Sequence, residues 1–262
     1  MVNIPPIIFD DIAPDVIARA KSDALEYALL SKPFTFNRMQ KPISECVVNI
    51  AKGKFVENLF VSVCRERGLI IDTDSCETPF WQRDRRDFVL MDREWDIKSI
   101  FLHRAPKDNA FNDCPALVPN RFASDQWGTR NKKYIPSVSK MPAFVFVFLY
   151  QFELRVELDE YQETFIKELC TDHKEQEANR EPFKREWFIE RFPRFADLEL
   201  EIDSELIIAV TGAASTNQWK RFNDQPKGPI FVGEDKVYQT AINNKSCRSG
   251  DLPSFAEIVG WV

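Results

Sequence analysis

Residues 85–99 read RRDFVLMDREWDIKS, and the folding of this stretch decides the rest of the chain. Charged and apolar residues alternate over 94–98, after Asp92-Arg93, and an apolar run, Phe88–Met91, precedes that pair. The period of two and the apolar run predict strands at 86–91 and 94–101 joined by a tight turn. With Asp92 and Arg93 as the turn, Met91 faces Glu94, Leu90 faces Trp95, Val89 faces Asp96, Phe88 faces Ile97 and Asp87 faces Lys98. Directly opposed residues share a face of a hairpin. Phe88, Leu90, Trp95 and Ile97 therefore point into a core. Asp87, Asp96 and Lys98 converge on the other face, with Glu94 further along. A slip of one residue would mix the two sets, so the pattern selects the arrangement that gathers the charges.

The flanking sequence supplies the elements around this hairpin. Residues 14–31 predict a helix, with Pro14 and Asp15 in its first turn and Pro33 beyond its end. A longer helix is expected over 44–67. Val48, Phe55, Val56, Leu59 and Val63 form its main stripe, and Gly68 is its stop. Glu57 lies opposite that stripe among Ile50, Gly53, Phe60, Val61 and Cys64. A carboxylate in such a second apolar strip needs a partner, hydrogen bonds or a cation, unless it lies at a partly exposed edge. GLIID (68–72) is expected as a short strand and 142–150 as a buried one, which 151–158 continues or pairs with. Residues 103–140 predict long loops with a short helix at most. Helical spacing returns over 159–195, with Phe183, Trp187, Phe188 and Phe192 as a core stripe. Strands follow at 205–210, 229–232 and 236–242, and a closing helix at 253–260. The fold class is α/β or α+β, with a central mixed sheet flanked by helices and one domain spanning 1–262.

The composition excludes several chemistries. The chain has 262 residues, long enough to bury a full core without staples. Its two histidines, His103 and His173, leave no H-E-x-x-H zinc motif and few partners for a His-dependent triad. AKGKF (51–55) lacks the first glycine and the Ser/Thr of a P-loop, and no G-x-G-x-x-G occurs. Six cysteines are scattered without a C-x-x-C pair and fit free thiols. No apolar run approaches membrane-spanning length, and the N-terminal residues lack the features of a signal peptide. The expected compartment is cytoplasmic, without a membrane. Abundant Asp, Glu, Lys and Arg favour carboxylate and lysine chemistry with a hard cation. The net charge of −6 gives no prior for nucleic acid, since local clusters matter more than the sum.

A helix bearing Glu57, a strand, a strand starting at Asp87 and a strand bearing Asp96-Ile97-Lys98 together resemble the PD-(D/E)XK nuclease superfamily. That superfamily includes type II restriction endonucleases and Holliday-junction resolvases. The resemblance covers roughly 44–150 in order of elements and four residues in motif. Asp87 matches the first metal-binding Asp, Asp96 the second acid, Lys98 the lysine and Glu57 the helix glutamate. Arg86 stands where the family often has Pro, and Asp96 where Glu is commoner. The resemblance implies a restriction-endonuclease-like core and a Mg²⁺-dependent DNA endonuclease, with Mn²⁺ as the alternative ion. Asp87, Asp96 and Glu57 would bind the metal, assisted by a carbonyl such as that of Ile97. Lys98 would orient or deprotonate the attacking water. Double-stranded DNA is the implied partner, and a homodimer is implied because a double-strand cutter needs two sites.

Three polar stretches are candidates to meet DNA: Arg83 and Arg85 in RDRR; Arg130, Asn131, Lys132 and Lys133 in 124–134; and Gln218, Lys220 and Arg221 in 215–228. These side-chain types contact phosphates and base edges. The candidate contact loops span 103–140 and 211–228, and each could equally be an ordinary solvated loop. Two other functions stay open: a structure-specific repair or recombination nuclease of the same fold, and a non-catalytic module that binds nucleic acid or protein.

Overall fold

The computed structural model describes residues 6–33, 42–78, 86–103, 106–107, 110–119, 143–150, 153–171, 185–202, 206–215, 218 and 221–261. In chain order the elements are β1 (Ile7–Phe9), α1 (Pro14–Ser31), α2 (Ile43–Glu66), β2 (Phe88–Leu90), β3 (Arg93–Leu102), β4 (Pro115–Pro119), β5 (Ala143–Tyr150), β6 (Leu154–Arg155), α3 (Glu160–Thr171) and α4 (Arg185–Arg191). Then come β7 (Glu201–Ile202), β8 (Ile207–Ala214), β9 (Asn223–Gln225), β10 (Gly228–Val232), β11 (Asp235–Thr240), β12 (Asn244–Arg248) and α5 (Phe255–Val259).

The helix boundaries follow local chemistry. Proline in the first turn of α1 occupies a position that needs no N–H, and Asp15 complements the helix dipole. At the end of α2, Gly68 adopts φ 86°, and the Leu69 N–H donates to the Cys64 carbonyl. This left-handed turn is a Schellman stop, which glycine makes without a Cβ penalty. Before α3, the Asp159 carboxylate accepts from the Gln162 N–H, and the Gln162 amide oxygen accepts from the Asp159 N–H. This reciprocal capping box fixes where the helix starts.

A five-stranded mixed sheet, ordered β1-β8-β5-β3-β2, divides the molecule. β3 and β5 are parallel, and the other neighbours are antiparallel. β5 is buried along its length, as a run of eight apolar and aromatic residues requires when both faces are covered. Val145, Val147 and Leu149 join Trp95, Phe88 and the inner faces of α1 and α2 in one core. Phe144, Phe146 and Phe148 join Ile100, Leu102, Val118, Ile230 and Val237 in a second core on the other side. β4, β12 and β9 form a three-stranded antiparallel sheet, and β10–β11 a hairpin. Phe188 and Phe192 are buried and pack with Phe165, so that aromatic stripe is core; Phe183 lies outside the described residues. Among the described residues no helix is long and apolar enough to cross a membrane.

The mixed sheet with flanking helices is the expected architecture, but several elements differ from expectation. Residues 68–72 form no strand; only Asp72 bridges to Val89. Of the expected 151–158 segment, 151–152 lie outside the described residues, and Leu154–Arg155 pair with Glu201–Ile202 and not with β5. The 103–140 stretch contains β4, whose partner β12 lies more than a hundred residues away, and such pairing leaves no local signal. Residues 211–214 are the buried end of β8, so the candidate contact loop begins at Ser215. Cys46, Cys64, Cys76, Cys114 and Cys247 are free thiols, and burial pushes Cys64, Cys114 and Cys247 up to about 12.

Two glycines give opposite expectations. A Cβ on Gly212 would stand 2.6 Å from the Ser249 carbonyl oxygen and 2.7 Å from Leu252 Cβ. Gly212→Ala should therefore cost about 1–3 kcal/mol by overpacking. Exposed Gly53, inside α2, has nothing within 4 Å of such a Cβ. Gly53→Ala should stabilise by about 0.5–1 kcal/mol through helix propensity. Urea denaturation of both variants checks the pair.

Candidate active site

The hairpin of β2 and β3 turns at Met91-Asp92, not at Asp92-Arg93. Both turn residues have positive φ, 53° and 56°, as a two-residue type I′ turn requires. Phe88 therefore faces Trp95, Val89 faces Glu94 and Leu90 faces Arg93, two residues away from the expected register. A shift of two preserves every side chain's face, so the alternating pattern cannot distinguish the two registers. Packing can. The Phe88 and Trp95 rings stack with centroids 6.1 Å apart, and Trp95 Nε1 donates to the Leu90 carbonyl at 3.1 Å. The shift brings Asp87 towards Asp96 in place of Lys98.

Asp87 lies where the β2 ladder ends. Its N–H donates to the Trp95 carbonyl at 2.9 Å, and its Oδ2 accepts from the Ile97 N–H at 2.5 Å. The carboxylate thus does for β3 what another strand carbonyl would have done. On β3, Asp96 and Lys98 share the face of Ile100 and Leu102, and Lys98 Nζ donates to Asp96 Oδ1 at 2.6 Å. Glu94 is drawn off by Arg86, 2.7 Å away.

Glu57 reaches the site from the other side of the sheet. α2 packs against the face that carries Trp95, and Glu57 forms an ion pair with Lys54 one turn earlier. Lys54 was not singled out in the sequence, although its i,i+3 spacing from Glu57 is a signal for such a pair. Glu57 and Asp87 line a common cleft of about 640 Å³ between α1, α2 and residues 73–78. Asp96 and Lys98 are not among its lining residues. The structure therefore brings Asp87, Asp96 and Lys98 together, and Glu57 approaches Asp87 alone.

This crowding has an electrostatic consequence. Burial first, then the charges of Asp96 and Glu57, push the Asp87 carboxyl well above the usual carboxylate range. The Ile97 N–H and the Lys98 ammonium pull it down, but by less. Among the described residues, no group of three or more His, Cys, Asp or Glu already stands together as a metal cluster. The donor chemistry nevertheless fits a hard divalent cation. Asp87 is an oxygen donor at a strand end, and burial first, then the charges of Asp96 and Glu57, hold its carboxyl against ionisation, a condition that a bound cation would relieve.

The nucleic-acid candidates fare differently. Arg83, Arg85, Arg130, Asn131, Lys132, Lys133 and Lys220 lie outside the described residues. Gln218 caps its own turn, its Oε1 accepting from the Ser215 N–H and hydroxyl, each at 2.7 Å. The Arg221 guanidinium donates to the Asp251 carbonyl. The sheet register does fix where β5 begins and β8 ends. Ala143, where β5 begins, pairs with Trp95, and Ala214, where β8 ends, pairs with Phe144 beside Asp96. The 215–228 stretch thus begins at the sheet end that carries Asp96, and the 124–134 stretch lies outside the described residues. His103 sits at the far end of β3 beside Tyr238, about 16 Å along the strand from Lys98.

The raised Asp87 carboxyl sets the sign of a stability effect. A carboxyl whose folded pKa exceeds its unfolded value favours folding below the unfolded pKa and loses that contribution as pH rises through the folded one. At neutral pH, Asp87→Asn should therefore raise the thermal midpoint, since the amide oxygen can still accept from Ile97. The gain should vanish as the pH approaches 4, the ordinary carboxylate value. Thermal melts of both proteins from pH 4 to 8 read this out. No family model, curated protein or solved structure matches this chain.

Proposed function

We propose that this chain is a Mg²⁺-dependent DNA endonuclease with a restriction-endonuclease-like core, hydrolysing phosphodiester bonds. The observation that carries the reading is that Asp87, Asp96 and Lys98 come together at one end of a mixed sheet, with the Asp87 carboxyl buried. The order of helix, hairpin and parallel strand, α2-β2-β3-β5, supports it, and so does the start of the 215–228 stretch at that end.

Asp87, Asp96 and Glu57 are the residues to hold Mg²⁺ or Mn²⁺. When bound, the ion would supply positive charge to the scissile phosphate and acidify a water. The chain does the rest. The Ile97 N–H fixes the Asp87 carboxylate. Lys98, 16% exposed, offers a nearly dry ammonium that orients the attacking water or stabilises charge on the phosphoryl oxygens. Lys54 holds Glu57 at the wall of the cleft. Double-stranded DNA as substrate and a homodimer with two sites complete the leading form of the proposal.

One observation favours a second form, in which the enzyme recognises DNA structure instead of sequence. Gln218 and Arg221, two of the side chains suited to reading bases, are engaged within the fold.

The test is cleavage of plasmid, genomic and branched DNA with Mg²⁺, against EDTA and Lys98→Ala controls. The proposal expects Mg²⁺-dependent products that fall at least a hundredfold in the Lys98→Ala protein, on the order of a lost transition-state contact. Discrete fragments select sequence recognition, and preference for branched DNA selects the second form. A folded protein that cuts none of these substrates sinks the proposal and leaves a binding module.

A further inference from the structure

The candidate site leaves one difficulty. Lys98 is tied to Asp96 Oδ1, the same carboxylate that a cation would take. Once Asp96 turns to another positive charge, a flexible four-carbon side chain needs a second anchor to stay in place. Phe144 supplies one. It is the β5 residue paired with Asp96, so its ring lies on the same face of the sheet. Lys98 Nζ stands 5.2 Å from the ring centroid. Phe144 is fully buried, and the Lys98 and Asp96 side chains are only 16% and 15% exposed. A cation over an aromatic face gains most when it is shielded from water in this way.

Resting on the nuclease reading for its role in turnover, we infer that Phe144 is a positioning residue: its ring face keeps the Lys98 ammonium in the site when Asp96 is taken by another cation. An aliphatic side chain of similar size would fill the same space without this attraction. The part played by Phe144 is thus separable from its place in the second core.

Two measurements test the inference independently. The first uses neither metal nor DNA. Asp96→Asn removes the charge that ties Lys98, and proton NMR follows the Lys98 ε-methylene signals, which a ring face shifts upfield. The upfield shift should persist in Asp96→Asn and disappear when Phe144→Leu is added. Movement to the position of an exposed lysine in Asp96→Asn alone overturns the inference. The second replaces Phe144 with mono-, di- and trifluorinated phenylalanines, which drain the ring's negative face at nearly constant volume. Cleavage kcat should fall stepwise, by about tenfold at trifluorophenylalanine, with KM for DNA unchanged. A flat kcat across the series also overturns it. If the unaltered protein cuts no DNA, the nuclease reading fails, and the NMR measurement alone decides whether the ring anchors the lysine.

Discussion

The parallel pairing of β3 with β5 is the constraint on which the rest of the molecule depends. It runs without interruption from Trp95↔Ala143 to Leu102↔Tyr150. Parallel strands cannot be joined by a tight turn, so the chain between them must leave the sheet and return. Here that excursion carries β4 and builds part of a second layer. A parallel pair is also stable mainly where both faces are covered. Helices α1 and α2 cover one face, and the small antiparallel sheets cover the other. The two cores follow from that requirement, as does the continuous run of buried residues in β5.

The same pairing fixes the candidate site. Because β5 runs alongside β3 in the same direction, its first residues lie beside Trp95 and Asp96. The end of β8 is brought to the same place by its antiparallel register with β5. Polar side chains can gather there because hydrogen-bonded strands give way to loops. Asp87 uses this opening. It spends its carboxylate on a main-chain N–H of β3 and so becomes rigid, at the cost of sitting close to Asp96 and Glu57. A fold selected for stability alone would not bury Asp87 with the charges of Asp96 and Glu57 acting on it. Regions that violate a local rule in this way are where function is expected.

Partnership within the site is uneven. Asp96 is neutralised by Lys98, Glu57 by Lys54 and Glu94 by Arg86. Asp87 is the acid whose neighbours are mostly negative. Aromatic side chains frame the arrangement on both faces of the sheet. Phe88 and Trp95 stack on the helical side, and Phe144 lies under Lys98 on the other. The Lys98–Asp96 pair thus lies against a buried ring, where the low local dielectric strengthens their attraction.

The sequence by itself determined what short-range periodicity can encode. The helices α1 and α2, with Gly68 as a stop, the buried strand β5, and the shared face of Asp96 and Lys98 were all legible from spacing. The hairpin register was not, because a shift of two residues leaves every side chain on the same face; a type I′ turn at Met91-Asp92 and the stacking of Phe88 on Trp95 decided it. Sequence could mark Glu57 as anomalous in an apolar strip but could not say what it meets. Only tertiary structure showed that it lines a cleft with Asp87 and pairs with Lys54. The strands β4 and β12 escaped notice because their partners are remote in sequence. Phe144 read as one more core residue, and only the parallel register set its ring under Lys98. Local pattern sets which face a side chain takes, and long-range pairing sets which other side chains it finds there.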